Sequence, residues 1–168
     1  MILATHAISG AATALVLRRY PVLALIASLL SHFLLDSFPH WHYKILSRES
    51  DTASPFGEKM SFGSAFLKDI FRTGIDFGIG LAISLVVSQY FFPGNFWLTT
   101  FGAFAGALPD ALQVVYYRFP RFKPFYYFQR FHEGVHAKTN LDKKPVRGIA
   151  QQIIVSAIAV LALIFWGR

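Results

Sequence analysis

Two pairs of residues that commonly bind metals are each separated by four positions in the sequence. His32 and Asp36 form the first pair, and His132 and His136 form the second. Four positions are about one turn of an α-helix, so the side chains of each pair project from the same face and can bind one cation. Either pair alone is weak evidence, but the two together indicate a metal site.

Further ionisable residues lie inside or at the ends of apolar segments. Such a group is costly at membrane depth unless it is paired or faces a polar cavity, and it therefore marks a functional site. A buried hydrogen bond between helices is the simpler explanation for any one of them, but it does not account for their gathering at one depth. The predicted metal ligands are His6, His32, Asp36, His40, Asp76, Asp110, His132 and His136.

The donor types restrict the metal and the chemistry. The chain has no cysteine, which excludes disulfides, thiolate ligands and thiol nucleophiles. Imidazoles and carboxylates together suit a divalent ion, Zn above all, and also allow Mn or Fe. Eight candidates exceed the three or four ligands of one catalytic zinc, which is compatible with two ions. Asp110 and Glu133 are the predicted catalytic residues, although Glu133 is equally compatible with a solvated loop carboxylate.

The composition indicates a membrane protein. Of the 168 residues, 54% are apolar and 15% are charged, against about 25% charged in soluble domains. We expect an all-α polytopic protein with about five transmembrane helices in one membrane domain, residues 1–168. A soluble protein with buried helices is disfavoured, because five successive segments are apolar on all faces. The segments, each near the ~20 residues that cross a bilayer, are 1–17, 21–38, 74–92, 96–117 and 149–166.

The distribution of positive charge predicts the orientation. Two polar loops, 39–73 and 118–148, hold thirteen of the sixteen Lys and Arg residues. Cytoplasmic loops carry such an excess, so we expect both loops and the metal ligands on the cytoplasmic side of a bacterial or archaeal cytoplasmic membrane. Within the first loop, apolar residues at helical spacing over 62–72 predict a short interfacial helix before the third span.

Basic and aromatic residues alternate over 118–131. A platform for single-stranded nucleic acid has this character, but the segment joins two predicted spans, which favours a membrane lipid as the partner and no nucleic acid. Arg and Lys attract lipid phosphates at the cytoplasmic leaflet, and an interfacial anchor explains the pattern equally well. The predicted substrate-binding residues are Arg118, Arg121, Lys123 and Arg130.

A shift of seventy positions aligns parts of the first two thirds of the chain. Gly10 then coincides with Gly80, and Pro39 coincides with Pro109. Duplication and chance explain these few identities equally well. The shift suggests a repeat of 1–43 in 71–113, which gives two helical hairpins and a C-terminal helix.

Several of these motifs resemble those of a known family. They are His6 after a short apolar start, Leu-Ser-His-Phe-Leu-Leu-Asp over 30–36, Leu-Pro-Asp over 108–110 and His-Glu-Gly-Val-His over 132–136. They look like motifs of the inner-membrane metal-dependent hydrolases, which include the LexA-binding inner-membrane proteins and resemble zinc-dependent phospholipase C, although their order here differs. The resemblance implies a metal site and a hydrolytic activity, and it implies no particular substrate.

The expected function is that of an integral membrane metal-dependent hydrolase. It is expected to cleave a phosphoester or phosphodiester of a lipid at the cytoplasmic face. The alternative is a non-enzymatic metal-binding protein, either a subunit with a structural metal or a transporter. A transporter needs polar groups through the whole membrane, whereas the candidate ligands here lie on one side. The sequence leaves the oligomeric state open.

Overall fold

The computed structural model describes residues 1–138 and 141–166. These residues form six α-helices and one short antiparallel hairpin, in which Arg48 pairs with Met60. The prediction of an all-α protein is therefore confirmed. The helices are α1 (Leu3–Val16), α2 (Pro21–Asp36), α3 (Ser64–Phe91), α4 (Phe96–Arg118), α5 (Lys123–Val135) and α6 (Pro145–Trp166), and the strands are β1 (Arg48–Ser50) and β2 (Glu58–Met60).

Helix α1 lies at the centre of the bundle. Eleven of its fourteen residues are buried, and it contacts α2, α3, α4 and α6. Its sequence is rich in Ala, Ser, Thr and Gly, and small residues of this kind let neighbouring helices approach closely. The surrounding helices instead direct large apolar side chains outward, as at Leu30, Val86 and Ile153. An apolar exterior of this kind suits a lipid environment.

Glycines bring α1 and α4 into backbone contact. A Cβ atom added to Gly106 would overlap the backbone oxygen of His6, and one added to Gly10 would overlap that of Gly102. The hydroxyl of Ser28 on α2 donates to the Gly10 carbonyl at 2.8 Å. Helices α1, α2 and α4 therefore pack tightly along the segment that carries the candidate ligands.

The α1–α2 turn and the α3–α4 turn lie at the same end of the helical bundle. Leu15 near the end of α1, Phe92 in the α3–α4 turn and Leu163 near the end of α6 share one apolar cluster. The guanidinium of Arg18, in the α1–α2 turn, lies 5.4 Å from the centre of the Phe92 ring. The first residues of α1, α3 and α6 and the last residues of α2 and α4 consequently lie toward the other end. The duplication itself stays a prediction.

Three helices, α3, α4 and α6, are long and apolar enough to cross a membrane. Helices α1 and α2 are also apolar but have 14 and 16 residues, or roughly 21 and 24 Å at the usual rise. Both are shorter than a ~30 Å hydrocarbon core. The predicted interfacial helix over 62–72 is wrong, because α3 runs without a break from Ser64 to Phe91.

Polar side chains tie the segment after α2 to the neighbouring helices. Gln152 on α6 donates to the carbonyl of Trp41 at 3.0 Å and accepts from the backbone nitrogen of Ile2 at 2.9 Å. The buried Asp69 on α3 accepts from the backbone nitrogens of Leu46 and Ser47 at 3.0 and 2.7 Å. These hydrogen bonds satisfy backbone groups of the non-helical segment after α2 and hold that segment against α3 and α6.

Replacing Gly106 by Ala is expected to lower the thermal unfolding midpoint of the detergent-solubilised protein. The added methyl group would overlap the backbone of α1, and overpacking of this kind costs about 1–3 kcal/mol. Gly78→Ala is the matched control, because a Cβ at Gly78 on α3 has no neighbour within 4 Å. An unfolding midpoint of Gly106→Ala at or above that of the wild type would contradict the close contact of α1 and α4.

Candidate metal centre

The carboxylate of Asp36, at the end of α2, is the centre of a cluster of histidines. Its side chain is 1% exposed. Oxygen Oδ1 lies 3.2 Å from Nε2 of His6 on α1 and 3.5 Å from Nε2 of His40 in the following loop. The backbone nitrogen of Met1 lies 3.3 Å from the same oxygen.

The second oxygen of Asp36 faces three further imidazoles. Oxygen Oδ2 lies 3.0 Å from Nε2 of His32, 3.2 Å from Nε2 of His132 and 4.0 Å from Nε2 of His136. Five of the predicted ligands thus present the same ring atom to one carboxylate. The spacing of four residues places His32 and Asp36 on one face of α2. The same spacing places His132, on α5, and His136, directly after α5, on the side that faces Asp36.

Four donor groups are close enough to share one ion. One potential ligand atom from each of His32, Asp36, Asp110 and His132 lies within 4.8 Å of the other three. Nε2 of His32 is 3.1 Å from Nε2 of His132 and 3.8 Å from Oδ1 of Asp110. Donors bound tetrahedrally to zinc at ~2.0–2.1 Å lie about 3.4 Å apart, so these separations fit a single ion.

The ring orientation of two histidines favours a cation at the cluster. Nδ1 of His32 is 2.8 Å from the carbonyl of Gly106, and Nδ1 of His40 is 2.7 Å from the carbonyl of Phe38. A carbonyl only accepts, so each Nδ1 donates, and in the neutral ring Nε2 then carries a lone pair. That lone pair faces a carboxylate oxygen of Asp36, and a bound cation relieves the contact between the two acceptors.

Some buried ring nitrogens have no hydrogen-bond partner within the described ranges. They are both nitrogens of His6 and Nε2 of His40. Buried polar atoms are nearly always paired, and each exception calls for an explanation such as an ion. The donor types, their separations and these unpaired nitrogens together fit a divalent metal.

A second group of donors adjoins the first. His40, His42 and His136 have ring nitrogens within 4.8 Å of one another, and Nδ1 of His42 lies 3.0 Å from Oδ1 of Asp142. Burial lowers the pKa of His40 to about 3 and also lowers the pKa of His42. Neutral imidazole is the form that binds metals. Because His40 also faces Asp36, this group can hold a second ion next to the first.

His42 is a site residue that the sequence analysis missed. It follows His40 by two positions in a non-helical segment after Pro39. In extended backbone, side chains two positions apart point to the same side. The spacing His-Trp-His was therefore a usable signal once the segment was recognised as extended.

Asp76 was predicted as a ligand, but the structure places its carboxylate elsewhere. Its Oδ2 accepts from the backbone nitrogens of Leu3 and Ala4 at 2.7 and 3.3 Å. It also accepts from the hydroxyl of Tyr43 at 3.3 Å, and burial raises the pKa of that hydroxyl. These contacts satisfy free N–H groups at the start of α1, which is the ordinary role of a capping carboxylate. Asp76 thus positions the start of α1, the helix that carries His6.

A cavity of about 1440 Å³ opens beside the cluster and is lined by Asp110, Glu133, His42 and His136. The side chains of Asp110 and His136 are 27% and 24% exposed. Glu133 is exposed and accepts from Nε2 of the buried Gln129 at 2.8 Å. The site is therefore open on one side, as catalytic metal sites are and structural ones are not.

The predicted substrate-binding residues do not line this cavity. The basic side chains that line the cavity are Lys44 and Arg48. Arg48 donates to Oε1 of Gln113 at 3.0 Å and pairs with Glu58 at 3.3 Å. No pattern in the sequence singled out Arg48, because its position depends on the β1–β2 hairpin. All four predicted residues are exposed, and none of them lines the cavity: Arg118, Arg121, Lys123 and Arg130.

Comparison with protein-family models, curated proteins and solved structures gives no match. The resemblance to the inner-membrane metal-dependent hydrolases therefore rests on the sequence motifs alone. The interpretation of the site depends on its own geometry.

Asp36→Asn is expected to reduce the zinc content of the purified protein, measured by elemental analysis, at least about tenfold. Loss of a group that only orients a ligand already weakens metal binding about 10–100-fold, and Asp36 faces five imidazoles directly. Asp69→Asn is the control, because Asp69 is equally a buried helical carboxylate but binds backbone nitrogens. Equal zinc in both variants and the wild type would refute the assignment.

Proposed function

We propose that this chain is an integral membrane metal-dependent hydrolase. Its substrate is a membrane lipid, and the bond cleaved is a phosphoester or phosphodiester at the cytoplasmic face. The observation that carries the proposal is the buried Asp36 carboxylate among histidine Nε2 atoms, next to a large cavity that Asp110 and His136 line. The resemblance of the sequence motifs to membrane hydrolases supports the same conclusion.

The proposal includes five membrane crossings. Helices α1 and α2 are short, but the contact of Arg18 with Phe92 puts their turn level with the turn of the longer α3–α4 hairpin. Helix α2 also exposes an apolar stripe that includes Val22, Ile26 and Leu30. Five crossings leave the loops that carry most of the basic residues on one side, together with the cluster. The positive-inside rule makes that side cytoplasmic.

The chemistry assigned to the site is hydrolysis by an activated water. When bound, a divalent ion such as Zn, Mn or Fe lowers the pKa of a ligated water toward ~7 and neutralises phosphate charge. His32, Asp36, Asp110 and His132 are the proposed ligands of one ion, and His40, His42 and His136 are those of a second.

Other side chains of the cavity have roles in the same reaction. Glu133 is the proposed acceptor of the proton from the attacking water, held by the Gln129 amide. Arg48 and Lys44 bind the negative charge of the phosphate, which Arg contacts best through its planar guanidinium.

Two features favour an enzyme over the other metal-binding functions. Asp110 and His136 are partly exposed to the cavity, whereas the ligands of a structural metal are closed off. The opposite end of the bundle packs Ala12, Leu15 and Leu163 in an apolar cluster. A transport path requires polar groups there.

The topology predicts where reporters will be active. A fusion within 47–60 should behave as cytoplasmic, and a fusion after α6 should behave as extracytoplasmic, because five crossings separate the two ends. Alkaline phosphatase and green fluorescent protein fusions measure the two sides independently. The opposite result at both positions would invert the proposed face of the site.

Purified protein loaded with Zn or Mn is expected to release phosphate or a phosphorylated head group from a bacterial lipid extract. Chelation should abolish the release. Asp110→Asn should abolish it as well without unfolding the protein, because Asn keeps the shape but not the charge. A folded, metal-loaded protein that is inert on a broad lipid panel would favour the structural-metal alternative.

Arg48→Ala is expected to raise KM about tenfold or more with little change in kcat. A charge-assisted hydrogen bond contributes about 1.5–3 kcal/mol, and uniform binding appears in KM. Arg121→Ala is the matched control, because Arg121 is exposed and does not line the cavity. If Arg121→Ala raised KM and Arg48→Ala did not, the original assignment of the basic segment would be restored.

A further inference from the structure

Helices α3 and α4 are joined by a tight turn and enclose a furrow. Near the turn, the hydroxyl of Thr99 donates to that of Ser88 at 2.7 Å. The rings of Phe77 and Phe104 meet farther along, with centroids 4.8 Å apart. Beyond this pair, toward the metal centre, residues of both helices line the large cavity, together with residues of α1, of α2 and of the loop that follows α2. Its walls there include Phe66, Ile70, Thr73 and Gly74 on α3, and Leu108, Ala111 and Val114 on α4.

The length of the furrow matches one leaflet of a bilayer. Residues that line the cavity run from Phe66 to Phe77 on α3 and from Phe101 to Val114 on α4. At about 1.5 Å per residue these stretches measure roughly 16 and 20 Å. Half of a ~30 Å hydrocarbon core is about 15 Å. Both walls belong to helices that are long and apolar enough to span a membrane.

The furrow leads to a polar end that carries basic side chains, carboxylates and the metal-binding donors that would attract a phosphate. Asp110 and Gln113 of α4 line the same cavity, together with Arg48 and Lys44. The β1–β2 hairpin overlies this end, since Arg48 donates to Gln113 and Tyr117 donates to Glu58 at 3.4 Å. One cavity therefore joins an apolar trough to basic side chains and metal-binding donors.

We propose that one hydrocarbon chain of a phosphate-bearing membrane lipid binds in this furrow. The lipid enters sideways between α3 and α4, and its phosphate reaches Arg48 and the His–Asp cluster. This inference rests on the proposed function. It adds that the protein recognises its lipid substrate through a hydrocarbon chain. The occupant is a lipid rather than a protein segment, because the apolar walls belong to helices that are long and apolar enough to span a membrane. The polar end carries the basic side chains Lys44 and Arg48 beside metal-binding donors.

Gly74 is the residue that leaves room for the chain. A Cβ atom added there meets no heavy atom within 4 Å, although Gly74 lines the cavity. Since Gly74 lines the cavity and its Cβ position is open, we expect a larger side chain there to extend into the furrow. Gly78 lies one turn farther along α3 and is equally open, but it does not line the cavity. The two glycines thus form a matched pair for substitution.

Photo-cross-linking tests the inference without requiring catalysis. Zinc-loaded wild type, Gly74→Leu and Gly78→Leu are reconstituted in phosphatidylcholine vesicles with a phosphatidic acid that carries a diazirine in one acyl chain. Labelled peptides are identified by mass spectrometry. In the wild type we expect labels within 66–77 and 101–114 that excess unlabelled phosphatidic acid removes.

Gly74→Leu should reduce this labelling about tenfold, because displacing two buried methylene groups already weakens binding by that factor. Gly78→Leu should leave it unchanged. Ala111→Leu narrows the furrow from the α4 wall and should act as Gly74→Leu does, so the test does not depend on one variant. Zinc content equal to that of the wild type shows that each variant is folded.

Equal labelling of all variants, or labelling that phosphatidic acid does not displace, would overturn the furrow as a binding site. Hydrolysis of p-nitrophenyl phosphate, which has no acyl chain, separates the two proposals. Gly74→Leu should retain that hydrolysis and lose hydrolysis of the long-chain lipid. Displaceable labelling without hydrolysis of any ester would support the furrow and refute the proposed function. Hydrolysis of the long-chain lipid at the wild-type rate by Gly74→Leu would refute the furrow alone.

Discussion

A buried carboxylate controls the arrangement of the rest of the molecule. Asp36 is withdrawn from solvent, and an ionised carboxylate is stable there only when positive charge or hydrogen-bond donors surround it. The five histidines around it come from α1, α2, α5 and the residues that follow α2 and α5, and a cation bound among them would supply the positive charge. Three features hold these groups close together. They are the backbone contact of α1 with α4, the hydrogen bonds of Asp76 to the start of α1, and those of Gln152 on α6 to Ile2 and Trp41.

Much of this centre could be predicted from residue spacing, because one helical turn separates His32 from Asp36 and His132 from His136. Their predicted location on one side of the membrane indicated that they meet. The position of Asp76 could not be predicted in the same way. Depth shows how far along the bundle a residue lies, but not which neighbour its side chain faces. Asp76 faces the start of α1 and accepts its backbone nitrogens instead of joining the histidines.

The helical fold followed from hydropathy, and the lining of the cavity did not. Periodicity in 62–72 indicated a helix correctly but gave no reason to place its end, and the chain continues through Gly74 without a break. Arg48 reaches the cavity because a two-stranded hairpin folds over the ends of the helices. Three-residue strands are too short to leave a pattern of alternation. The prediction of substrate-binding residues fell instead on the basic segment 118–131, although its Arg and Lys side chains are exposed.

The central position of α1 has a consequence for biogenesis. Helix α1 contacts α2 and α3, and it also contacts α4 and α6, which lie far from it in the sequence; the backbone nitrogen of Ile2 donates to Gln152 of α6. The fourteen residues of α1 are too few to cross a ~30 Å hydrocarbon core at the usual helical rise. His6 is therefore brought to Asp36 by packing between helices that lie far apart in the sequence. The cluster of histidines is complete only once these helices have assembled.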